Sequence, residues 1–394
     1  MRILVIAGYA WSLVNFRGPL LRSMLAAGHE VFAIAPEEDG AAQIVREWGI
    51  SYESIPFQRS GLNPFFDLIA WLRFRSCLVR WRPDLVFSYT HKPVLYSALA
   101  ARCIGRSPKV YAMITGLGFA FIEEGGARRR VAGVCLKLLY RAAAKVFCGV
   151  IFQNEDDRQL FQRMELIRPE TPQLVVRGSG VDLAAFEFAP IVSPDGLLRG
   201  GLRPQYRFLM IARLLREKGV REYVEAARLL KASGTCAEFH LVGPLDPSPS
   251  AISRREVDRW VQEGAVIYHG AQDDVRPYLR DCHAYVLPSY REGTPRTVLE
   301  AMSIGRPVIT SDITGCRETV FQCNAPSKQG VRIGSNGFLV RSRSASALAA
   351  AMEMLVEQPD LGIEMGIQGR RLAQEYYDVR LVTGQILEFI GLKS

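Results

Sequence analysis

Short runs of Val, Ile, Leu and Phe alternate with helical patterns along nearly the whole chain, and the alternation stops once and then restarts. Apolar runs of this length with no polar alternate suit strands buried on both faces, and the helices between them supply the cover. The pattern therefore confines the chain to an α/β class built on parallel sheets. In the first half the expected strands are Arg2 to Ala7, Glu30 to Ala35, Tyr52 to Phe57, Leu85 to Tyr89, Val110 to Thr115, Val146 to Gln153 and Leu174 to Arg177. Helical stretches such as Pro19 to Ala27 and Val94 to Ile104 lie between them. The alternation breaks after Gly178-Ser-Gly-Val-Asp182, and residues 184 to 205, with three prolines and three glycines, read as a linker. It restarts with Tyr206 to Ala212, Ala237 to Gly243, Ala265 to His269 and Ala284 to Pro288, and Leu361 to Leu392 is helical in pattern. A chain of 394 residues exceeds one ordinary core. The expected organisation is two Rossmann-like domains, 1–190 and 191–375, facing each other across a cleft, with a C-terminal helix at 376–394 packing back toward the first.

Composition narrows the setting. The eight cysteines, at 77, 103, 135, 148, 236, 282, 316 and 323, form no Cys-x2-Cys pair, so neither a zinc site nor a disulfide framework is suggested, and a reducing cytosol fits. The uncharged run from Ile3 to Phe16 is interrupted by Gly8 and leads into an amphipathic helix, so it reads as a first buried strand and its loop, not a signal peptide. Val110 to Ile122 is too short to span a membrane.

The formal charge of +9 suits a polyanionic partner. Residues 1 to 190 carry 23 Lys and Arg against 17 Asp and Glu, and the excess concentrates in Trp71 to Arg82 and Arg128 to Lys145. Two readings stand for these segments: core-facing helices with a solvated basic side, or peripheral contact with anionic lipid. Nucleic acid is not an expected partner, because no recognised nucleic-acid module is present.

One stretch carries most of the chemistry. Ser289-Tyr-Arg-Glu-Gly-Thr-Pro-Arg-Thr-Val-Leu-Glu300 follows a strand-like run and sets two carboxylates eight residues apart across a turn and a helix start. Gly293 lets backbone approach a ligand, Pro295 fits a first helical position, and the amides of Thr297 and Val298 point toward an anion at the helix N-terminus. Two acids beside a diphosphate would repel it, so Glu292 and Glu300 are expected to hold hydroxyls on its two sides. Taken alone, two acids at this spacing also suit a solvated helix face. Ala301 to Ile309 continues as helix, Gly stop, Pro and buried strand, one step of a doubly wound sheet with the loop at a strand's carboxyl end. Earlier in the same half, Arg213 lies just past a strand and Lys218 at the next helix entrance, where both could neutralise a diphosphate. No Gly-x-Gly-x-x-Gly follows either first strand and no Walker A loop occurs, so dehydrogenase and P-loop readings lack their phosphate site.

These residues resemble the retaining GT-B glycosyltransferases of family 4. Ala212-Arg213-Leu214 with Lys218-Gly219, Val242-Gly243, and Glu292 to Glu300 match the family's second domain. The resemblance extends through the first domain in Pro83-Asp84, Ile114-Thr-Gly-Leu-Gly-Phe119, Phe152-Gln-Asn-Glu-Asp-Asp157 and Gly178-Ser-Gly-Val-Asp182. With Gly315-Cys-Arg-Glu318, these segments are most similar to the capsule and O-antigen subgroup of N-acetylhexosaminyltransferases acting on polyprenyl-diphosphate-linked sugars.

The resemblance implies a UDP-sugar donor, a lipid-linked sugar acceptor and a place on the inner face of the cytoplasmic membrane, with no metal or cofactor. It assigns Arg213 and Lys218 to the donor diphosphate, Glu300 to the ribose hydroxyls and Glu292 to a donor-sugar hydroxyl. Gly243, Gly293, Thr294, Thr297, Val298 and Gly8 join the donor side; Asn15, Arg17, His91 and Thr115 are candidates on the acceptor side. Two departures stand out. Thr115-Gly116 occupies the position of a family His-Gly, and the usual Gly-Gly after the first strand is reduced to Gly8-Tyr9. Two rival readings are a sugar-nucleotide 2-epimerase, for which the N-terminal half offers no matching acids and histidine, and a non-catalytic nucleotide-sugar-binding subunit.

Overall fold

A computed structural model describes residues 1–36, 40–56, 64–105, 107–116, 127–191, 205–323 and 328–392. It divides into two compact units, Met1–Ser179 with Val379–Ser394, and Gly180–Asp378. The first is built on strands β1 (Arg2–Ile6), β2 (Glu30–Ala35), β3 (Ser51–Ser54), β4 (Leu85–Tyr89), β5 (Lys109–Ile114), β6 (Phe147–Phe152) and β7 (Gln173–Val175). All pair in parallel in the order β3-β2-β1-β4-β5-β6-β7.

Strand β1 shows why its sequence is apolar without alternation. Leu4 and Ile6 enter one core cluster while Ile3 and Val5 enter the cluster on the opposite face. The helix Val379–Phe389 returns from the second unit and joins the latter cluster through Val382, Ile386 and Leu387. Its Phe389 lies against Tyr111 and against Gly149 on β6, where an added Cβ would come 2.7 Å from the Phe389 ring. Only a residue without a side chain admits that ring.

The second unit carries β8 (Tyr206–Ile211), β9 (Ala237–Val242), β10 (Ile267–Tyr268), β11 (Ala284–Leu287), β12 (Val308–Ser311), β13 (Val331–Ile333) and β14 (Gly337–Val340). Their order is β10-β9-β8-β11-β12-β14-β13, parallel except for the antiparallel β13–β14 pair. That pair is absent from the sequence reading, because runs of three and four residues are too short to show a period.

The division between units falls after Ser179, eleven residues before the expected boundary at 190. Val181 and Phe186 belong to the second unit's core. Arg370 Nη1 donates to the carbonyls of Phe186 and Ser303 at 3.0 and 2.8 Å, and Arg306 Nη1 to that of Ala189 at 2.6 Å. Two arginines thus fasten the start of the expected linker to the second unit; residues 192–204 lie outside the described residues. Among the described residues no helix is long and apolar enough to cross a membrane.

Candidate active site

In the second sheet β8 and β11 are neighbours, with β9 and β10 on one side and β12 to β14 on the other. Their following connections leave in opposite directions and open a crevice at the strands' carboxyl ends, the switch point of an open α/β sheet. Ala212 to Gly219 follow β8 and Pro288 to Pro295 follow β11, so two segments more than seventy residues apart in sequence meet there.

Three glycines let the loops close on one another. Gly219 has φ 74°, and a Cβ on it would lie 2.1 Å from the Pro288 carbonyl oxygen. At Gly315, φ 80°, a Cβ would lie 1.4 Å from the Gly293 oxygen, and at Gly243, φ 145°, 1.8 Å from that of Ala212. No side chain fits at any of them, and their φ values are ones that L-residues avoid. The Tyr290 amide donates to the Glu217 carbonyl at 2.8 Å and ties the two loops directly.

On this frame the charged residues assemble. Lys218, ending a short 3-10 turn at Arg216–Lys218, places Nζ 2.5 Å from Glu292 Oε1, and Ser289 Oγ donates to the same oxygen at 2.7 Å. Arg213 Nη1 lies 3.0 Å from Asp246 Oδ2 and is half exposed. Burial pushes the Asp246 carboxyl up, but hydrogen bonds from Ser248 and the Arg213 charge outweigh it and hold it below the ordinary carboxylate range.

Glu300 lies in the second turn of the helix Arg296–Ile304, 7% exposed, with Oε1 2.9 Å from Arg296 Nε. Burial lifts its carboxyl to about 7 even though Arg296 pulls the other way. Beneath it Tyr285 Oη, on β11, donates to Thr297 Oγ1 at 2.6 Å and lies 3.1 Å from the carbonyl oxygen of Ile211 at the end of β8. Tyr285 thus joins the helix start to the strand that carries Arg213. The arrangement brings Arg213, Lys218, Glu292 and Glu300 to one crevice, with Glu292 bound to Lys218 and Glu300 buried against Arg296 with its carboxyl lifted to about 7.

Two details of the helix start differ from the sequence reading. Pro295 is the N-cap and not the first helical residue, and the Val298 amide donates to its carbonyl at 3.1 Å. The Val298 side chain is fully buried in the core, so neither end of this residue is placed to hold a donor. Thr297, Thr294 and Gly293 remain half-buried beside Glu292 in sequence.

The first unit has its own switch point, between β1 and β4. A Cβ on Gly8 would come 2.5 Å from Thr90 Oγ1, and Thr90 itself holds φ 69° immediately before His91. His91 Nδ1 lies 2.6 Å from the hydroxyl of the fully buried Tyr140, which sets the ring's direction. Thr115 is half-buried just past β5, and Asn15 is exposed at the end of the helix Ala10–Asn15. Arg17 differs from the expectation: it is 2% exposed, its guanidinium 5.3 Å over the Tyr89 ring, packed into the unit and not presented at its surface. Leu117 to Phe119 of the Thr-Gly-Leu-Gly segment lie outside the described residues, as do the side chains of Arg128, Arg129 and Arg130.

Sequence reasoning missed Asp246, Ser289, Tyr285 and Arg296 as members of the site. Arg296 carries a signal, since it stands four residues before Glu300 on one helix. Asp246 carries none, as 33 residues separate it from Arg213. Among the described residues no three His, Cys, Asp or Glu side chains gather into a metal-binding group.

Comparison with known proteins identifies the chemistry. Residues 205–358 match the family model described as glycosyl transferases group 1, and residues 17–178 the glycosyl transferase 4-like domain. The chain is 30% identical over 379 residues to the N,N'-diacetylbacillosaminyl-diphospho-undecaprenol alpha-1,3-N-acetylgalactosaminyltransferase of Campylobacter jejuni, covering 95% of both chains. It is 26% identical over 254 residues to the UDP-Gal:alpha-D-GlcNAc-diphosphoundecaprenol alpha-1,3-galactosyltransferase of Escherichia coli, 63% of each chain. In fold it is similar to a Rickettsia africae glycosyltransferase, with TM-score 0.74 at 18% identity over 99% of this chain and 97% of that one. It is likewise similar to Anabaena HepE in complex with UDP, with TM-score 0.73 at 17% identity over 98% and 99%. The two parallel-sheet units, the matched residues and the Campylobacter relative agree: the chain belongs to the group 1 glycosyltransferases with a 4-like first domain, on the GT-B fold.

Proposed function

We propose that this glycosyltransferase moves an N-acetylhexosamine from a UDP-sugar to a sugar carried on a polyprenyl diphosphate, with retention at the anomeric carbon and without a metal ion. The observation that carries the reading is the gathering of Arg213, Lys218, Glu292 and Glu300 at the carboxyl ends of β8 and β11. The second unit takes the donor. Arg213 and Lys218 hold its diphosphate, Glu300 accepts from the ribose hydroxyls, Glu292 accepts from a sugar hydroxyl, and Gly243, Gly293, Thr294 and Thr297 line the approach. The first unit takes the acceptor near Asn15, His91 and Thr115. The names of the Campylobacter and Escherichia relatives, both acting on undecaprenol-diphosphate-linked sugars, support the acceptor class. Work on such an acceptor places the chain at the inner face of the cytoplasmic membrane.

Transfer follows front-face displacement. As the bond from the anomeric carbon to the diphosphate oxygen breaks, Arg213 and Lys218 stabilise the charge that grows on the leaving group. The leaving oxygen takes the proton of the acceptor hydroxyl, whose oxygen bonds the anomeric carbon on the same face. Glu292 serves as an orienting group: its contact with Lys218 fixes the ammonium before the donor arrives, so little reorganisation remains for the reaction.

A test is to incubate the purified protein with a panel of UDP-sugars and a polyprenyl-diphosphate sugar and to weigh the products. Glycolipid longer by one hexosamine is expected. An altered UDP-sugar with no glycolipid would establish epimerisation instead, and tight UDP binding with neither product would make the protein a binding subunit.

Glu300 makes donor binding depend on pH. Its carboxylate accepts from ribose, so protonation below about 7 removes the acceptor, and the donor KM is expected to rise as pH falls from about 8 to 6. Stability runs the other way. The folded state holds the proton more tightly than the unfolded chain between 4.5 and about 7, so this contribution is present below 4.5 and lost as pH rises through 7. Measuring KM across that range in wild type and Glu300→Gln checks the assignment; a pH-dependent KM that survives in the variant would assign the titration to another group.

A further inference from the structure

The helix Pro64–Trp81, in the first unit, has a face that the sheet does not explain. Ala70, Phe74, Cys77 and Leu78 turn into the core, each no more than 1% exposed. On the opposite side Phe65, Leu68, Leu72 and Val79 are 67, 54, 50 and 50% exposed. At 3.6 residues per turn these four fall within an arc of about 60°, a straight apolar stripe turned to the outside. Arg73 and Arg80 flank the stripe on one side and Arg75 on the other, all exposed, with Arg80 also reaching Glu53. The helix has one acid, Asp67, and it is buried 2.7 Å from Lys92. The exposed face therefore combines apolar side chains with cations and no helix carboxylate.

Two helices on, across His91–Ala101, the helix Ala127–Ala143 repeats the pairing on the same side of the sheet, with Val134 and Leu138 56 and 59% exposed beside Lys137 and Arg141. Arg141 also contacts Glu165.

We infer that the outer face of Pro64–Trp81 is the surface by which the chain docks on an anionic lipid bilayer, the stripe entering the acyl boundary and the arginines lying among headgroup phosphates. An interfacial helix needs an apolar face with cations beside it, and each cation near an anionic surface adds to the attraction. Charge selects this occupant over a second copy of the chain, because pairing the stripe with itself brings Arg73 and Arg75 against their own kind. The inference rests on the proposed lipid-linked acceptor for its purpose, but its geometry is independent of the donor site.

The experiment compares wild type, the triple variant Leu68→Ser, Leu72→Ser and Val79→Ser, and the double variant Arg73→Ser and Arg75→Ser. Vesicles of phosphatidylglycerol and phosphatidylcholine, or of phosphatidylcholine alone, are sedimented with each protein, and transfer is assayed on a short-chain water-soluble acceptor. Wild type is expected to bind the anionic vesicles, less at high salt, and both variants to bind them roughly tenfold or more weakly. Transfer to the short-chain acceptor is expected to stay at the wild-type rate, which also shows that the variants fold. Variants that bind vesicles as wild type does would overturn the surface, as would wild type binding no better to anionic than to neutral vesicles. A wild-type dimer that the triple variant turns into a monomer, with no vesicle binding, would give the stripe to a second copy and also overturn it. Absence of transfer in wild type would count against the proposed reaction and leave the vesicle result to decide the surface alone.

Discussion

Lys218→Ala is expected to lower kcat/KM by roughly a hundred- to a thousandfold, the cost of removing one preorganised electrostatic group from a developing negative charge. The ammonium is 2.5 Å from Glu292 and its side chain is 22% exposed, in a loop at the edge of the unit and outside its core clusters. Circular dichroism and the melting temperature should therefore change little, while most of the loss appears in kcat, because the charge on the leaving diphosphate is greatest in the transition state. Lys218→Arg should not restore the rate, since a planar fork on a longer stem cannot occupy the point that the ammonium holds between Glu292 and the crevice. Glu292→Gln separates the two roles. It keeps a hydroxyl partner and removes the ion pair, so the donor KM should rise with a smaller change in kcat. Because the residues touch, a double-mutant cycle should show coupling between them. Wild-type turnover in Lys218→Ala would remove the lysine from the mechanism.

Arg306→Met is expected to destabilise the second unit by about 3 kcal/mol, lowering the melting temperature of its transition by roughly 6 to 12 °C. Arg306 has no exposed surface, and its guanidinium donates to three carbonyls: Leu279 through Nε at 2.8 Å, Ala189 through Nη1 at 2.6 Å and Arg280 through Nη2 at 2.7 Å. Methionine fills much of the volume and takes the guanidinium donor away from one buried and two part-buried carbonyls. Arg306→Lys retains charge, yet one ammonium cannot reach three carbonyls in the directions that the fork serves. Burial lowers the affinity of Arg306 for its proton, although Cys282, Tyr206 and Asp281 oppose the shift. Thermal unfolding followed by a probe in the second unit measures the effect; a shift below one degree would show that water replaces the guanidinium at no cost.

Both residues stand in segments that the sequence marks plainly, and they differ in how much of their role can be read there. Lys218-Gly219 after a strand and Glu292 to Glu300 across a turn are local patterns: a strand end, a glycine at positive φ and a helix start each depend on a few neighbouring residues. The same holds for β1, β2, β4, β5, β6, β8 and β9, whose apolar runs are long enough to show themselves. Arg306 in Ile304-Gly-Arg-Pro307 reads only as a helix stop, and nothing near it in sequence announces that it will lie between residues 189 and 280. The same limit hid β13 and β14 and placed the domain boundary eleven residues late, because Val181 and Phe186 have apolar partners that lie far along the chain.

Periodicity and turn chemistry, which act over a few residues, settled in advance that the chain is α/β with parallel sheets and that its two acids and two bases stand at strand ends and helix starts. Folding settled the partners. Glu292 is held by Lys218, Arg213 by Asp246, and Glu300 is buried against Arg296 with its carboxyl lifted to about 7. It also turned Arg17 into the interior and set Phe65, Leu68, Leu72 and Val79 on the outside. A pairing across 74 residues depends on strand order, on register and on which glycines let two loops touch, and burial depends on everything packed around the residue. Neither is a property of any short stretch of chain, so both had to await the tertiary structure.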